Sequence, residues 1–295
     1  MSARPSVWAF DAIGTSWQIE TSEPLADPAR RAVEALIAAF DADWSRFRDD
    51  SLVSRLARSA GAVAAPPDAA PMLDAYAALS EATDGAVNPL IGASLESLGY
   101  DADGSLLDRG AIPAPAAWRE IVSWDSGRLA LTRPALLDVG ALGKGRLVDL
   151  VMDIVAPVST GDVVVDASGD LAMRGATQRV GLEHPFDTRR AIGVWEVTDA
   201  ALCASATNRR AWGDGLHHVL DARTGMPVRA IAASWAVADT AMRADALATA
   251  LFFDGGPRLA YEWGAQWVRM TTDGTLQWSP GCRAELFVRT ASVDP

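Results

Sequence analysis

Cysteine and histidine are scarce in this chain: of 295 residues, 2 are cysteine and 3 are histidine. Cys203 and Cys282 are too few for a disulfide framework, and their spacing fits no zinc motif. They read as buried free thiols or as one structural disulfide. A basic surplus is also missing, since the formal net charge is −12. Binding nucleic acid or an anionic membrane needs a positive field, so both partner classes are disfavoured. An anionic small ligand is still allowed, provided a metal or a few local Lys and Arg side chains meet it. No apolar run reaches the roughly 18 residues of a membrane-spanning helix. The stretch from Met1 to Phe10 lacks an apolar leader region and a lipobox cysteine, which makes a cytoplasmic location the default expectation.

What is present is a globular composition. Hydrophobic residues make up 49% and charged residues 22%, with no low-complexity tract or repeat. The length suits one large domain or two modest ones, each with its own core.

Residues 7–20 read as strand with a turn at Gly14-Thr15. A helix follows from about Pro28, because Val33, Leu36, Ile37, Phe40 and Trp44 recur at spacings of three and four. The Ala/Pro/Gly-rich stretch 60–70 reads as loop, and Met72, Leu73, Tyr76 and Leu79 mark another helix. Turn signals dominate 84–118, and 120–137 suggests a hairpin turning near Asp125-Ser126-Gly127. Gly143-Lys144-Gly145 is expected just ahead of a helix. Short strands are then expected at 163–165, 171–174, 179–183, 192–197, 217–220 and 231–238, with a helix over 240–253. Strands near 267–271, 275–278 and 285–288 close the chain, the first two flanking the hairpin dipeptide Asp273-Gly274. Strands and helices mix without regular βαβ alternation, so the fold class is α+β: a helical N-terminal part packed on a strand-rich C-terminal part. The chain reads as one unit, with no boundary marked between those parts.

Three segments carry chemistry. In Arg243-Ala244-Asp245-Ala246-Leu247-Ala248-Thr249, Asp245 and Thr249 share a helical face, with Cβ atoms about 5–6 Å apart. A carboxylate beside a hydroxyl suits a hard cation such as magnesium. An exposed Asp and a back-bonded Thr on an ordinary helix fit the spacing too. The Ala and Leu around them imply a buried helix, however, and a buried carboxylate needs a partner. In the second segment, 137–149, glycines beside a helix start let backbone approach an anion, and Lys144 adds positive charge. A Walker A loop is excluded, because Gly145 follows Lys144 where Ser or Thr is required. A plain helix start also fits. The third segment, 216–227, holds His217 and His218 ahead of the turn Arg223-Thr224-Gly225. On a strand the two would face opposite sides, so one could act on a hydroxyl proton and the other be structural. The turn from Asp166 to Asp170 lacks the first glycine of a nucleophile elbow and reads as a simple turn between strands.

Taken together and in order, these segments resemble the ApbE family of FAD:protein FMN transferases. The carriers are Asp138 through Gly145, Ser168-Gly169-Asp170, His218 through Pro227, and Ala244 through Ala250. Gly14-Thr15, Trp44-Ser45-Arg46-Phe47, the run from Ser51 to Leu56, and Ala86-Val87-Asn88-Pro89-Leu90 extend the likeness toward the N-terminus. The resemblance implies an ApbE-like mixed fold and a magnesium ion held by Asp245, Thr249 and the carbonyl of Ala141, with Asp245 counted as catalytic too. It implies FAD contacts from Phe47, Ala86, Val87, Asn88, Asp138, Lys144 and Val219, and acid/base work by His218. FAD would be the substrate. A Ser or Thr hydroxyl of an acceptor flavoprotein would attack its FMN-side phosphate, and AMP would leave. The sequence departs from the family's usual residues at Ile13, Asn88, Ala204, Ala206 and Ala222. An FAD pyrophosphatase and a non-catalytic flavin-binding protein are the alternative readings.

Overall fold

The computed structural model describes residues 5–287, apart from Ala176 and Asp214. Its frame is an eight-stranded antiparallel sheet whose spatial order follows the chain. The strands are Ser6–Ala12, Thr15–Thr21, Val163–Asp166, Asp170–Arg174, Ala201–Ala206, Ile231–Ala238, Gln266–Thr271 and Leu276–Trp278. The N-terminal hairpin thus extends the sheet built by the C-terminal half.

Apolar residues of the central strands face both ways, which makes this a buried sheet with two cores. Val163 and Val165 point into the larger cluster, beneath helices Asp27–Trp44, Gly143–Val155 and Ala241–Ala250. Val164, between them, points into the second cluster with Met173, Leu202 and Trp235. That second face is covered by a three-stranded sheet of Gln178–Glu183, Ala191–Val197 and Glu285–Leu286. Period-two side-chain alternation accounts for the split.

Helices Gly143–Val155 and Ala241–Ala250 pack against each other on the large sheet, and glycine decides how closely. A Cβ on Gly145 would come within 2.2 Å of the Ala241 carbonyl oxygen and 2.7 Å of Asp245 Cβ. The second helix is also capped from the first. Asp149 accepts from the Ala241 and Met242 N–H groups at 2.7 and 2.9 Å. Gly145→Ala must therefore push the helices apart. It is expected to lower stability by about 1–3 kcal/mol, as overpacking does, and to disturb the site that both helices carry. Urea unfolding reads the first effect; an unchanged midpoint would contradict the contact.

Several elements differ from expectation. The stretch read as a loop at 60–70 contains strand Gly61–Ala64, held by pairing with Arg128–Leu131. The segment 217–220 is broken, with Leu216–His217 pairing to Ala211–Trp212 and Leu220–Asp221 to Met226–Pro227. Gly143, Lys144 and Gly145 form the first turn of their helix instead of preceding it. The helix read over 240–253 ends at Ala250. The strand expected at 285–288 runs from Glu285 to Leu286, and Val288 lies outside the described residues, as do residues 1–4. Both cysteines are free thiols, Cys203 being buried. Among the described residues no helix is long and apolar enough to cross a membrane.

Candidate active site

A cleft of about 650 Å³ opens between the C-terminal end of helix Asp27–Trp44, the 138–142 loop with the first turn of helix Gly143–Val155, the 218–220 segment and helix Ala241–Ala250. Its size lies within the range of about 300–1,000 Å³ typical of small-molecule and cofactor sites. Phe40, Trp44, Phe47, Tyr76 and Tyr100 give it aromatic walls. Of the sequence-derived candidates, Phe47, Ala86, Val87, Asn88, Asp138, Ala141, Lys144, His218, Val219 and Thr249 all line it. Asp245 does not; it is buried, 4% exposed, behind Gly145.

The loop that presents Ala141 is pinned by Tyr76. Its hydroxyl donates to the Asp138 carbonyl at 2.8 Å and accepts from the Ala141 N–H at 3.3 Å. The Thr249 hydroxyl lies 3.3 Å from the Ala141 carbonyl oxygen, to which it donates. Gly145 N–H, in the first turn of its helix, donates to Asp245 Oδ2 at 2.9 Å. The positive end of that helix dipole therefore meets a carboxylate. Asp245 makes no salt bridge among the described residues. Burial is the main reason its carboxyl is held well above the ordinary range. Asp170 adds to the rise, and Lys144 opposes it.

Lys144 is not a free cation. Its Nζ lies 2.7 Å from Asp170 Oδ2, and Asp170 is fully buried. A second bond runs from Nζ to the Ala167 carbonyl at 3.2 Å. Burial alone would lower the ammonium's pKa, but Asp170 and Asp245 outweigh it and the net shift is upward. Asp138 is likewise engaged, with Oδ2 2.7 Å from Arg46 Nε and Oδ1 accepting from Gly140 N–H at 2.7 Å. The Asn88 amide is occupied by its own loop. It donates to the Pro115 carbonyl and accepts from Leu90 N–H, each at 2.9 Å.

The two histidines separate as strand alternation predicts, even though the strand breaks beside them. His217 is buried away from the cleft; its Nε2 lies 2.9 Å from the Val228 carbonyl and its Nδ1 accepts from Val219 N–H at 3.3 Å. His218 lines the cleft, and its Nδ1 is buried without a hydrogen-bond partner. Burial first, then the charges of Arg210 and other neighbours, push its pKa down to about 3 instead of the near-neutral value expected from sequence. The imidazole is therefore neutral at pH 7.

Sequence reasoning gave no site role to Arg46, Tyr76, Tyr100, Ser205 or Arg210, all of which line the cleft. Arg46 sat inside a quoted motif without a role. Its guanidinium stacks on Phe47, 4.1 Å from the ring centre, and Nη1 donates to the Tyr100 carbonyl. Ser205 lies on strand Ala201–Ala206, which small residues hid. Ile13, also in the lining, has φ of +47°, a conformation that a β-branched residue adopts only under strain.

The family model for ApbE matches residues 13–268. The chain belongs to the ApbE family. It is 28% identical over 303 residues to the FAD:protein FMN transferase of Rhodobacter capsulatus, covering 94% of this chain and 57% of that protein. Over 249 residues it is also 28% identical to the FAD:protein FMN transferase of Treponema pallidum, covering 72% and 67%. The chain thus spans little more than half the length of the first relative. In fold it is similar to the ApbE protein of Thermotoga maritima, with a TM-score of 0.78 at 23% identity, covering 94% of this chain and 97% of the other. The mixed α+β architecture is therefore that of the family.

Proposed function

We propose that this chain is an FAD:protein FMN transferase, moving FMN from FAD to a Ser or Thr hydroxyl of an acceptor flavoprotein with release of AMP. The observation that carries the reading is one cleft in which Lys144, His218, Thr249, the Ala141 carbonyl and Phe47 converge, in a chain whose curated relatives bear that name.

The donor set fits magnesium. A carboxylate, a hydroxyl and a carbonyl are hard oxygen ligands, and Asp245 is a buried carboxylate with no salt-bridged cation among the described residues. Asp245, Thr249 and Ala141 would hold the ion, which when bound supplies charge neutralisation for the diphosphate. The protein's own groups do the rest. Phe47 offers a half-exposed ring at the mouth for a flat heterocycle. Lys144 stands at the helix start facing the cleft. His218, neutral and desolvated, takes the acceptor hydroxyl's proton as the oxygen bonds to phosphorus and the bond to the bridging oxygen breaks.

The test is to incubate the full chain with FAD, Mg²⁺ and a candidate flavoprotein, reading acceptor mass and AMP, with EDTA as a control. A mass gain equal to bound FMN, lost with EDTA, is the expected result. AMP released without acceptor would mean a pyrophosphatase, and tight FAD binding without turnover would mean a binding protein.

Lys144→Ala should weaken FAD more than riboflavin, which has no phosphate for the ammonium to meet. The change also strands Asp170, a fully buried carboxylate, so a stability loss of about 3–5 kcal/mol is expected alongside. Equal losses of affinity for both ligands would make Lys144 purely structural.

A further inference from the structure

Among the described residues three cationic side chains line the cleft: Arg46, Lys144 and Arg210. Arg46 is ion-paired to Asp138 and Lys144 to Asp170, both at 2.7 Å. The side chain of Arg210 makes no hydrogen bond or salt bridge among the described residues. Among the described residues its charge is therefore the one of the three that no carboxylate neutralises.

Its position is set by strand pairing. Ala211 lies opposite His217 in the short antiparallel ladder of Ala211–Trp212 with Leu216–His217. Arg210 immediately precedes that ladder's first strand and His218 immediately follows its second, so the two stand at the same end of it. Both side chains line the cleft. The ladder is anchored by Trp212, whose Nε1 donates to the Leu98 carbonyl at 2.8 Å. The preceding residue turns elsewhere: Arg209 pairs with Glu183 at 2.8 Å and does not line the cleft.

We propose that Arg210 binds the phosphate that is transferred, donating N–H bonds to its non-bridging oxygens beside His218. The proposal rests on the transferase reading. In the transfer, the acceptor hydroxyl oxygen bonds to the FMN-side phosphorus while the bond from that phosphorus to the bridging oxygen breaks. The hydroxyl proton passes to His218, and the electron pair leaves with AMP on the bridging oxygen. Arg210 exchanges no proton. Its planar donor fork meets the charge spread over the phosphoryl oxygens, where a preorganised donor acts most strongly.

Arg210→Gln, Arg210→Lys and the neighbouring control Arg209→Gln are compared with wild type in the full chain. Where wild type transfers FMN, Arg210→Gln is expected to lower kcat about 10²–10³-fold. Arg210→Lys should recover part of that loss, and Arg209→Gln should match wild type. A loss under threefold for Arg210→Gln, or equal losses at 209 and 210, overturns the proposal. Where wild type transfers nothing, the transferase reading fails by itself, and Arg210 is judged by equilibrium binding. Arg210→Gln must then weaken FAD and flatten its salt dependence while leaving riboflavin affinity unchanged; no change, or equal loss for both ligands, overturns it. Arg210 is solvent-exposed, and a thermal melt of each variant checks that the fold is kept.

Discussion

His218→Ala is expected to slow FMN transfer about 10²–10⁴-fold, the usual contribution of a positioned acid/base group. FAD affinity should stay within a few-fold of wild type, because in the proposed site the ligand would be held by the cleft walls, Lys144 and the oxygen ligands around Ala141. His217→Ala should retain transfer and lose stability instead, since His217 bridges Val219 and Val228 away from the cleft. The reverse pattern would overturn the assignment of faces. The pH profile adds a second check. In the free protein, burial and Arg210 hold His218 down to about 3. A diphosphate beside the ring acts in the opposite sense, favouring the protonated form. The acid limb of kcat, which reports the complex, should therefore lie at higher pH than that of kcat/KM, which reports the free enzyme. Stability carries a related signature. Because the folded pKa is depressed below the ordinary value, the unfolded chain takes up the proton first. Stability is thus full above about pH 6.5 and is lost as pH falls toward about 3. His218→Ala removes that share of the acid sensitivity.

How much of this was readable from residues alone depended on whether the signal was local. The helix from Asp27 to Trp44 announced itself because Val33, Ile37, Phe40 and Trp44 are all buried on one stripe. The strand Ile231–Ala238 and the turn at Asp273-Gly274 were equally local. Strand Ala201–Ala206 was not, for its run of Ala, Leu, Cys and Ser has little intrinsic strand preference. It is a strand because Asp170–Arg174 and Ile231–Ala238 flank it with hydrogen bonds. Gly61–Ala64 is similar, a small-residue stretch ordered by its partner. The site divides in the same way. Ten of the eleven named candidates line one cleft, since motif order along the chain tracks a shared fold. Which charges neutralise one another could not be read, because Arg46 meets Asp138 from 92 residues away. Lys144 looked like a free cation for the same reason, and Arg210 was given no role although its side chain makes no ion pair among the described residues.

Asp245→Asn is expected to abolish magnesium-dependent transfer while leaving the unliganded protein at least as stable as wild type. Two facts set the sign. Asp245 Oδ2 accepts from Gly145 N–H, and an asparagine carbonyl oxygen keeps that bond. Asp245 is otherwise a buried carboxyl group without a salt bridge among the described residues, its pKa raised chiefly by desolvation, with Asp170 adding to the rise. A raised folded pKa means that the fold resists ionisation. Its effect is absent below the unfolded carboxylate value of about 4 and grows as pH rises from there toward the folded pKa. The advantage of the asparagine variant should widen over the same span. FAD with Mg²⁺ should reverse the order, raising the melting temperature of wild type and not of the variant, because the ion would lose the charged ligand of the proposed set. A structural ion pair would behave oppositely: removing one partner strands the other and costs about 3–5 kcal/mol. The pairing of Lys144 with Asp170 already argues against that arrangement at Asp245. Thermal melts of both proteins at several pH values, with and without Mg²⁺ and FAD, decide between the two. An unliganded variant that melts well below wild type, yet is stabilised by Mg²⁺ and FAD as wild type is, would remove Asp245 from the metal site.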